Sequence, residues 1–233
     1  VGFPTTAAPY AHLFHRLGRA NYNGLALNTV FHGNKCIIPY HLGKNGSSDK
    51  HVIITTPRGQ FDFGPFSNLR CKKLGDFDIV IINNPRDLQP FKESSIFRMP
   101  KMDEEVVPIA LRGEKGKLIA RVGEASKTYR AGAEYSHLWV YFYPANAGDC
   151  GSAIVARADN KIVGFHSGIV RDDKGVYLRS VYTPVSELLL QALKEKCDDD
   201  FWTFDHRNIS WNALVKSSTL FPITKEIQEI EVQ

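Results

Sequence analysis

Gly148-Asp149-Cys150-Gly151-Ser152-Ala153-Ile154-Val155 joins a glycine-bounded turn, a cysteine and the start of an apolar strand in one short run. Glycine on either side lets the backbone bend sharply and turn successive N–H groups the same way. A thiol placed there can attack a carbonyl carbon while amides of the Gly148, Asp149 and Cys150 turn hold the oxyanion, with Gly148 and Cys150 the favoured pair. A buried, inert cysteine beside a β-turn has the same local pattern. The choice between the two depends on what accompanies the turn. Outward from it, the chain divides into short apolar or alternating runs separated by Gly, Pro, Asn and Asp, which predicts many short strands. They fall at 24–30, 35–38, 51–55, 59–63, 79–82, 117–122, 138–142, 152–156, 162–167 and 176–181. The fold class is therefore all-β. Helix signals are few, at 7–19 and over 183–193, where Thr183 can cap, Pro184 suits the first helical position and Glu187 favours the dipole.

With 233 residues, 43% apolar, 23% charged and 11% aromatic, the composition excludes disorder and collagen-like order. A chain of this length buries a core without disulfide staples. Cys36, Cys71, Cys150 and Cys197 are scattered and form no Cys-x-x-Cys pair, so no zinc site and no disulfide framework is expected, and a reducing compartment fits. The longest apolar run, Leu138-Trp139-Val140-Tyr141-Phe142-Tyr143, is far short of the roughly 18–20 residues of a membrane span. Val1-Gly2-Phe3-Pro4-Thr5-Thr6 has no initiator Met, basic leader or signal core, so the expected start is trimmed or cut from a longer chain. The net charge of +4 comes from interleaved basic and acidic runs, whereas a dedicated nucleic-acid binder concentrates its positive charge on one face. Arg70, Lys72, Lys73, Arg112, Lys115 and Lys117 are the candidate residues for an RNA-binding alternative.

Two companions favour chemistry at Cys150. Ile37-Ile38-Pro39-Tyr40-His41-Leu42 sets a histidine just past a β-run. A thiol of ordinary pKa is only a few per cent thiolate at neutral pH, so an imidazole that takes its proton helps. His12, His15, His32, His51, His137 and His206 lack a matching context and read as surface or packing residues. Gly75-Asp76-Phe77-Asp78-Ile79-Val80-Ile81-Ile82 places an acid at the head of an apolar strand. Asp78, abutting the buried run, can orient the histidine; Asp76 is its local rival.

The order His41, Asp78, Cys150 is that of chymotrypsin with cysteine in place of serine. With Ile162-Val163-Gly164-Phe165-His166-Ser167, Pro85-Arg86-Asp87-Leu88-Gln89-Pro90-Phe91 and Trp202-Thr203-Phe204-Asp205-His206-Arg207-Asn208-Ile209-Ser210-Trp211, the chain resembles the nuclear-inclusion-a proteinases of potyvirus-type plant RNA viruses along nearly its whole length. The resemblance implies a viral cysteine endopeptidase without metal or other cofactor, built from two antiparallel six-stranded β-barrels with a short C-terminal helix and an extension. The expected divisions are an N-terminal lobe at 1–100, a linker at 101–117, a C-terminal lobe at 118–190 and an extension at 191–233. His41, Asp78 and Cys150 are then catalytic, and His166 reads a Gln side chain, less well Glu, before the cut bond. Ser167, Gly168, Ile169 and Val170 continue as the strand edge on which an extended substrate pairs. Where the family carries Thr and Asp ahead of the turn, this chain has Ala145 and Ala147, with Asn146 between them as a substitute polar contact. Asp149 replaces a commoner neutral residue, and its charge should oppose thiolate formation and raise the pH optimum. The end of the chain, Glu229-Ile230-Glu231-Val232-Gln233, is what a Gln-cutting proteinase leaves on releasing itself from a polyprotein, which makes Gln233 a cleavage-site residue. The expected partners are polyprotein cleavage-site segments, with non-specific RNA binding as the alternative, in the host-cell cytoplasm or nucleus.

Overall fold

The structure is a computed structural model that describes residues 8–45, 49–74, 78–131, 137–195, 202–203 and 227–232. After a short helical entry that includes α1 (Ala11–Phe14), the first lobe is an antiparallel sheet. Its strands are β1 (Leu17–Tyr22), β2 (Leu25–His32), β3 (Lys35–Ile38), β4 (His51–Thr56), β5 (Gly59–Pro65), β6 (Arg70–Lys73) and β7 (Val80–Asn83). They lie in the order β6-β7-β3-β2-β1-β4-β5. Asn23-Gly24 explains the first hairpin. Both residues have positive φ, +48° and +84°, and Tyr22 pairs directly with Leu25, as the tight turn between right-twisted strands requires.

The second lobe comprises β8 (Glu105–Glu114), β9 (Lys117–Val122), β10 (Ser126–Lys127), β11 (Tyr129–Arg130), β12 (Trp139–Tyr141), β13 (Ala153–Ala156), β14 (Ile162–Asp172) and β15 (Tyr177–Pro184). Its backbone order is β10-β8-β13-β14-β15-β12-β11, with β9 paired to β8. Helix α2 (Glu187–Lys194) follows. Two strands of the extension rejoin the lobes, β16 (Trp202–Thr203) beside β6 and β17 (Ile227–Val232) beside β14. Instead of the six strands expected of each lobe, among the described residues the first sheet has seven, eight with β16, and the second eight, nine with β17.

Besides the clusters inside each lobe, one hydrophobic cluster spans both. Val30, Ile37 and Ile81 of the first pack with Ile109, Val155 and Phe165 of the second and with Leu189 and Leu193 of α2. Full burial of each such side chain stabilises by about 1.5–3 kcal/mol, so this seam holds the lobes firmly. Buried Lys35 of β3 adds a polar tie: its Nζ donates to the carbonyls of Ala192 at 2.8 Å, Leu193 at 3.3 Å and Glu195, at the C-terminus of α2. A cation there meets both the unpaired carbonyls and the negative end of the helix dipole.

Three further expectations change. The 101–117 stretch is not a linker, because β8 runs through it and pairs with β9, β10 and β13. Pro108 and the nearby charges suggest a break, but Val106–Leu111 is buried throughout, and a strand covered on both faces tolerates one residue without an N–H when its carbonyl is used, here by Gly123 at 2.9 Å. The helix over 7–19 stops at Phe14 because residues from Leu17 onward pair with β2. The helix over 183–193 starts later: Thr183 and Pro184 end β15, and Ser186 is the N-cap, accepting from the Leu189 N–H at 3.2 Å.

Candidate active site

Strands β3 and β7 run antiparallel with Ile38 opposite Val80, which brings the residues just after β3 against those just before β7. His41 and Asp78 meet there. Asp78 Oδ2 lies 2.6 Å from His41 Nδ1, and Oδ1 accepts the His41 backbone N–H at 3.0 Å. Holding main chain and ring together, the carboxylate sets the imidazole's orientation and leaves its hydrogen on Nδ1. Asp76, the rival acid, lies outside the described residues.

Cys150 arrives from the other lobe, ahead of β13, and is fully buried. Its Sγ lies 3.9 Å from His41 Nδ1 and 3.7 Å from the Ser167 carbonyl, to which the thiol donates. The donor atoms of His41, Asp78 and Cys150 all lie within 4.8 Å of one another. That spacing suits either a thiophilic cation or a proton relay; the 2.6 Å contact, already bridged by a proton, favours the relay. Burial pushes the Cys150 thiol well above its ordinary pKa, the charges of Asp78 and Asp149 push the same way, and the Gly151 N–H opposes them. The resting sulfur is therefore a thiol. Buried Cys36 in the first lobe has its thiol raised by burial as well and stands outside this cluster.

The turn has the form the glycines require. Gly148 and Gly151 have φ of +91° and +87°, and a Cβ on Gly151 would lie 2.1 Å from the Asn28 carbonyl oxygen. Within the turn the Asp149 N–H donates to the Asn146 carbonyl at 3.0 Å, Gly151 N–H to His166 at 2.8 Å and Ser152 N–H to Asp149 at 3.0 Å. The N–H groups of Gly148 and Cys150 have no acceptor among the described residues. Asp149 N–H is thus spent, and Gly148 and Cys150 are the amide pair left for an oxyanion. The Asp149 side chain turns inward, 3% exposed. Arg112 of β8 grips it with two bonds, Nε to Oδ1 at 3.0 Å and Nη2 to Oδ2 at 2.5 Å, and the Asn146 N–H adds a third at 2.8 Å.

His166, in the middle of β14, is also buried, with Nδ1 2.7 Å from the Tyr141 hydroxyl. Burial raises the Tyr141 pKa, so that hydroxyl keeps its proton. Donated to Nδ1, it leaves the imidazole neutral with its own hydrogen on Nε2, the state that can donate to a carboxamide oxygen. Nothing in the sequence pattern singles out Tyr141, which reads as one more aromatic in an apolar strand. The β14–β15 register shifts between His166 and Gly168. This bulge carries Ser167, whose Oγ bonds Thr183 Oγ1 at 2.8 Å. Ala145 is buried and Ala147 exposed. With its amide oxygen toward Arg112, Asn146 accepts at 3.2 and 3.3 Å, so its side chain is committed there.

Beyond the bulge, Gly168, Ile169 and Val170 pair with Val232, Glu231 and Ile230 of β17. The chain's own segment lies antiparallel along the edge expected to hold an extended substrate. Gln233 lies outside the described residues. Among the candidate RNA-contacting cations, Arg112 is bound to Asp149 and Lys72 to Glu195 at 2.5 Å, while Lys115 and Lys117 are exposed on the β8–β9 hairpin. The side chains of Arg70 and Lys73 fall outside the description.

The sequence model of Peptidase family C4 matches residues 10–228. The genome polyprotein of Sweet potato mild mottle virus (isolate Salazar) is 32% identical over 233 residues, covering 99% of this chain and 7% of that protein. That of Brome streak virus (strain 11-Cal) is 29% identical over 210 residues, 88% of this chain and 7% of that protein. The chain therefore spans about 7% of the length of the curated relatives it matches. The fold is similar to that of tobacco vein mottling virus protease, with a TM-score of 0.70 and 21% identity over 87% of this chain and 92% of that one. It is likewise similar to catalytically active tobacco etch virus protease complexed with product, with a TM-score of 0.69 and 21% identity over 79% of each chain.

Proposed function

The chain belongs to Peptidase family C4, and from that premise we propose that it is a cysteine endopeptidase that processes a viral polyprotein, cutting after Gln and releasing its own segment from the precursor. One arrangement carries the reading. A thiol, an imidazole–carboxylate pair and two unspent amides meet at one point, beside a strand edge where Ile227–Val232 already lies extended.

In the proposed reaction an extended substrate replaces β17 along Gly168–Val170, pairing by main-chain hydrogen bonds. Cys150 Sγ leaves the Ser167 carbonyl and attacks the scissile carbonyl carbon as its proton passes to His41 Nε2, the ring nitrogen left without a hydrogen when Nδ1 donates to Asp78. Asp78 steadies the resulting imidazolium. The Gly148 and Cys150 N–H groups hold the oxyanion. Collapse of the tetrahedral adduct breaks the C–N bond, and His41 gives its proton to the leaving amine. Water, deprotonated by His41, then hydrolyses the thioester to free acid and thiol. Because the resting sulfur is protonated, the imidazole works as a general base. His166, kept neutral by Tyr141, donates to the Gln carboxamide. With Ala145 and Ala147 flanking a committed Asn146, selection rests on that imidazole.

The test is cleavage of the peptide Glu-Ile-Glu-Val-Gln-Val-Gly-Phe by the unaltered chain and by Cys150→Ala, read by mass spectrometry, beside peptides with Glu or Ala in place of Gln. Cutting after Gln by the unaltered chain alone is expected. Equal cutting by Cys150→Ala would refute the nucleophile, and equal cutting of the Ala peptide would refute the role of His166.

A further inference from the structure

The turn that bears Cys150 is held from the opposite lobe. Asn28, in the middle of β2 between Leu27 and Thr29, is 3% exposed although its side chain is a carboxamide. It makes three bonds to the second lobe, all to main chain. Its N–H donates to the Cys150 carbonyl at 2.9 Å, its Nδ2 to the Gly148 carbonyl at 3.2 Å, and its Oδ1 accepts the Leu111 N–H at 2.7 Å. Arg19 of β1 joins it: Nη1 donates to the Gly148 carbonyl at 3.0 Å and the Leu111 carbonyl at 2.9 Å, and Nη2 to Ala26 at 3.3 Å.

These contacts fix one peptide plane. The Gly148–Asp149 unit has its carbonyl held by Asn28 and Arg19 and its N–H held by the Asn146 carbonyl. The amides on either side, those of Gly148 and Cys150, are the two left without acceptors. Their directions follow from the plane between them, because each shares an α-carbon with it and Gly148 is a residue of positive φ with few steric restraints of its own. A flip of the central unit would swing both out of line.

We propose that Asn28 and Arg19 are positioning residues for the oxyanion-binding turn, so that the first lobe, besides supplying His41 and Asp78, sets the geometry in which the second lobe stabilises the transition state. The proposal rests on the peptidase reading for its catalytic consequence but not for its structural one. Preorganised donors contribute in the transition state and little in the ground state. The residues should therefore act on kcat and leave KM nearly alone.

The experiment compares the full chain with Asn28→Ala, Arg19→Met and Arg19→Lys. Amide hydrogen exchange is read across 146–152, and kcat and KM are measured per active site titrated with a thiol-directed reagent. In Asn28→Ala and Arg19→Met, the Asp149, Gly151 and Ser152 amides should exchange at least about tenfold faster with β13 to β15 unchanged. kcat should fall about 10- to 100-fold with KM within about twofold, and Arg19→Lys should recover part of it. Titration per active site separates this from a stability defect, which lowers the active fraction without lowering kcat. Unchanged exchange in the turn, exchange raised uniformly across both lobes, or unchanged kcat per site would each overturn the proposal. If the unaltered chain cuts no peptide, the peptidase reading fails, and exchange in the turn alone decides the positioning.

Discussion

Replacing Arg112 with Met keeps the aliphatic stem and removes the charge that answers Asp149. The carboxylate, 3% exposed, would keep only the Asn146 N–H at 2.8 Å. Breaking a buried ion pair by removing one partner costs about 3–5 kcal/mol. The Arg112 side chain is 22% exposed, so water screens part of the interaction and the low end, about 3 kcal/mol, applies. For a chain of this length about 1 kcal/mol moves Tm by 2–4 °C, so Arg112→Met should melt about 6–12 °C lower. A second effect reaches the nucleophile. Asp149 already helps to raise the Cys150 pKa, and without its guanidinium it should raise it further, slowing alkylation of Cys150 at neutral pH. The double variant Arg112→Met/Asp149→Asn removes the stranded charge and should regain at least about half of the lost stability, since the two residues are directly coupled. Thermal melts and iodoacetamide inactivation rates on the single and double variants read both effects. An Arg112→Met protein melting within about 2 °C of the unaltered chain, or a double variant no more stable than the single, would refute the reasoning.

Because the Cys150 pKa is raised, the thiolate fraction below that pKa grows with pH; substrate-free alkylation should climb about tenfold per unit through the neutral range, and a plateau already reached below neutral would indicate a preformed thiolate–imidazolium pair instead. Tyr141→Phe removes the 2.7 Å bond to His166; kcat/KM on a Gln peptide should fall about tenfold, the equivalent of one hydrogen bond, and the preference for Gln over Ala should narrow, whereas an unchanged preference would sever Tyr141 from specificity. Gly151→Ala sets a Cβ 2.1 Å from the Asn28 carbonyl oxygen at φ of +87°; a loss above about 3 kcal/mol is expected, and a stable, active variant would show that the turn tolerates displacement from β2.

Much of the architecture is legible in local pattern. Strands at 35–38 and 117–122 are found at the expected residues, since an apolar run punctuated by turn residues is a local signal. The Asn23-Gly24 hairpin goes unread, because the strand expected at 24–30 takes in Gly24 and none is expected where Leu17–Tyr22 forms β1. The β8 strand is hidden because Pro108 and flanking charges mimic a break, and only burial against β13 and β9 outweighs them. The first helix is cut short at Phe14 because pairing with β2 competes with helical propensity from Leu17 onward. Gly148–Ser152, His41 and Asp78 draw notice because each pairs an unusual residue type with a recognisable local frame.

What the sequence by itself determined is what depends on near neighbours along the chain: the all-β class, the glycine-bounded turn, a histidine just past one strand and an acid at the head of another. Only the tertiary structure decided which groups answer one another. Asn28 reads as one of several polar residues in β2 until that strand is set against the Cys150 turn; Arg112 reads as a surface cation until β8 brings it to Asp149; and Tyr141 reads as core until β14 brings His166 beneath its hydroxyl. Hydrogen bonds and ion pairs act over a few ångströms, and the residues that make them here lie far apart along the chain, so their partners exist only once both sheets are folded and the seam between them is closed.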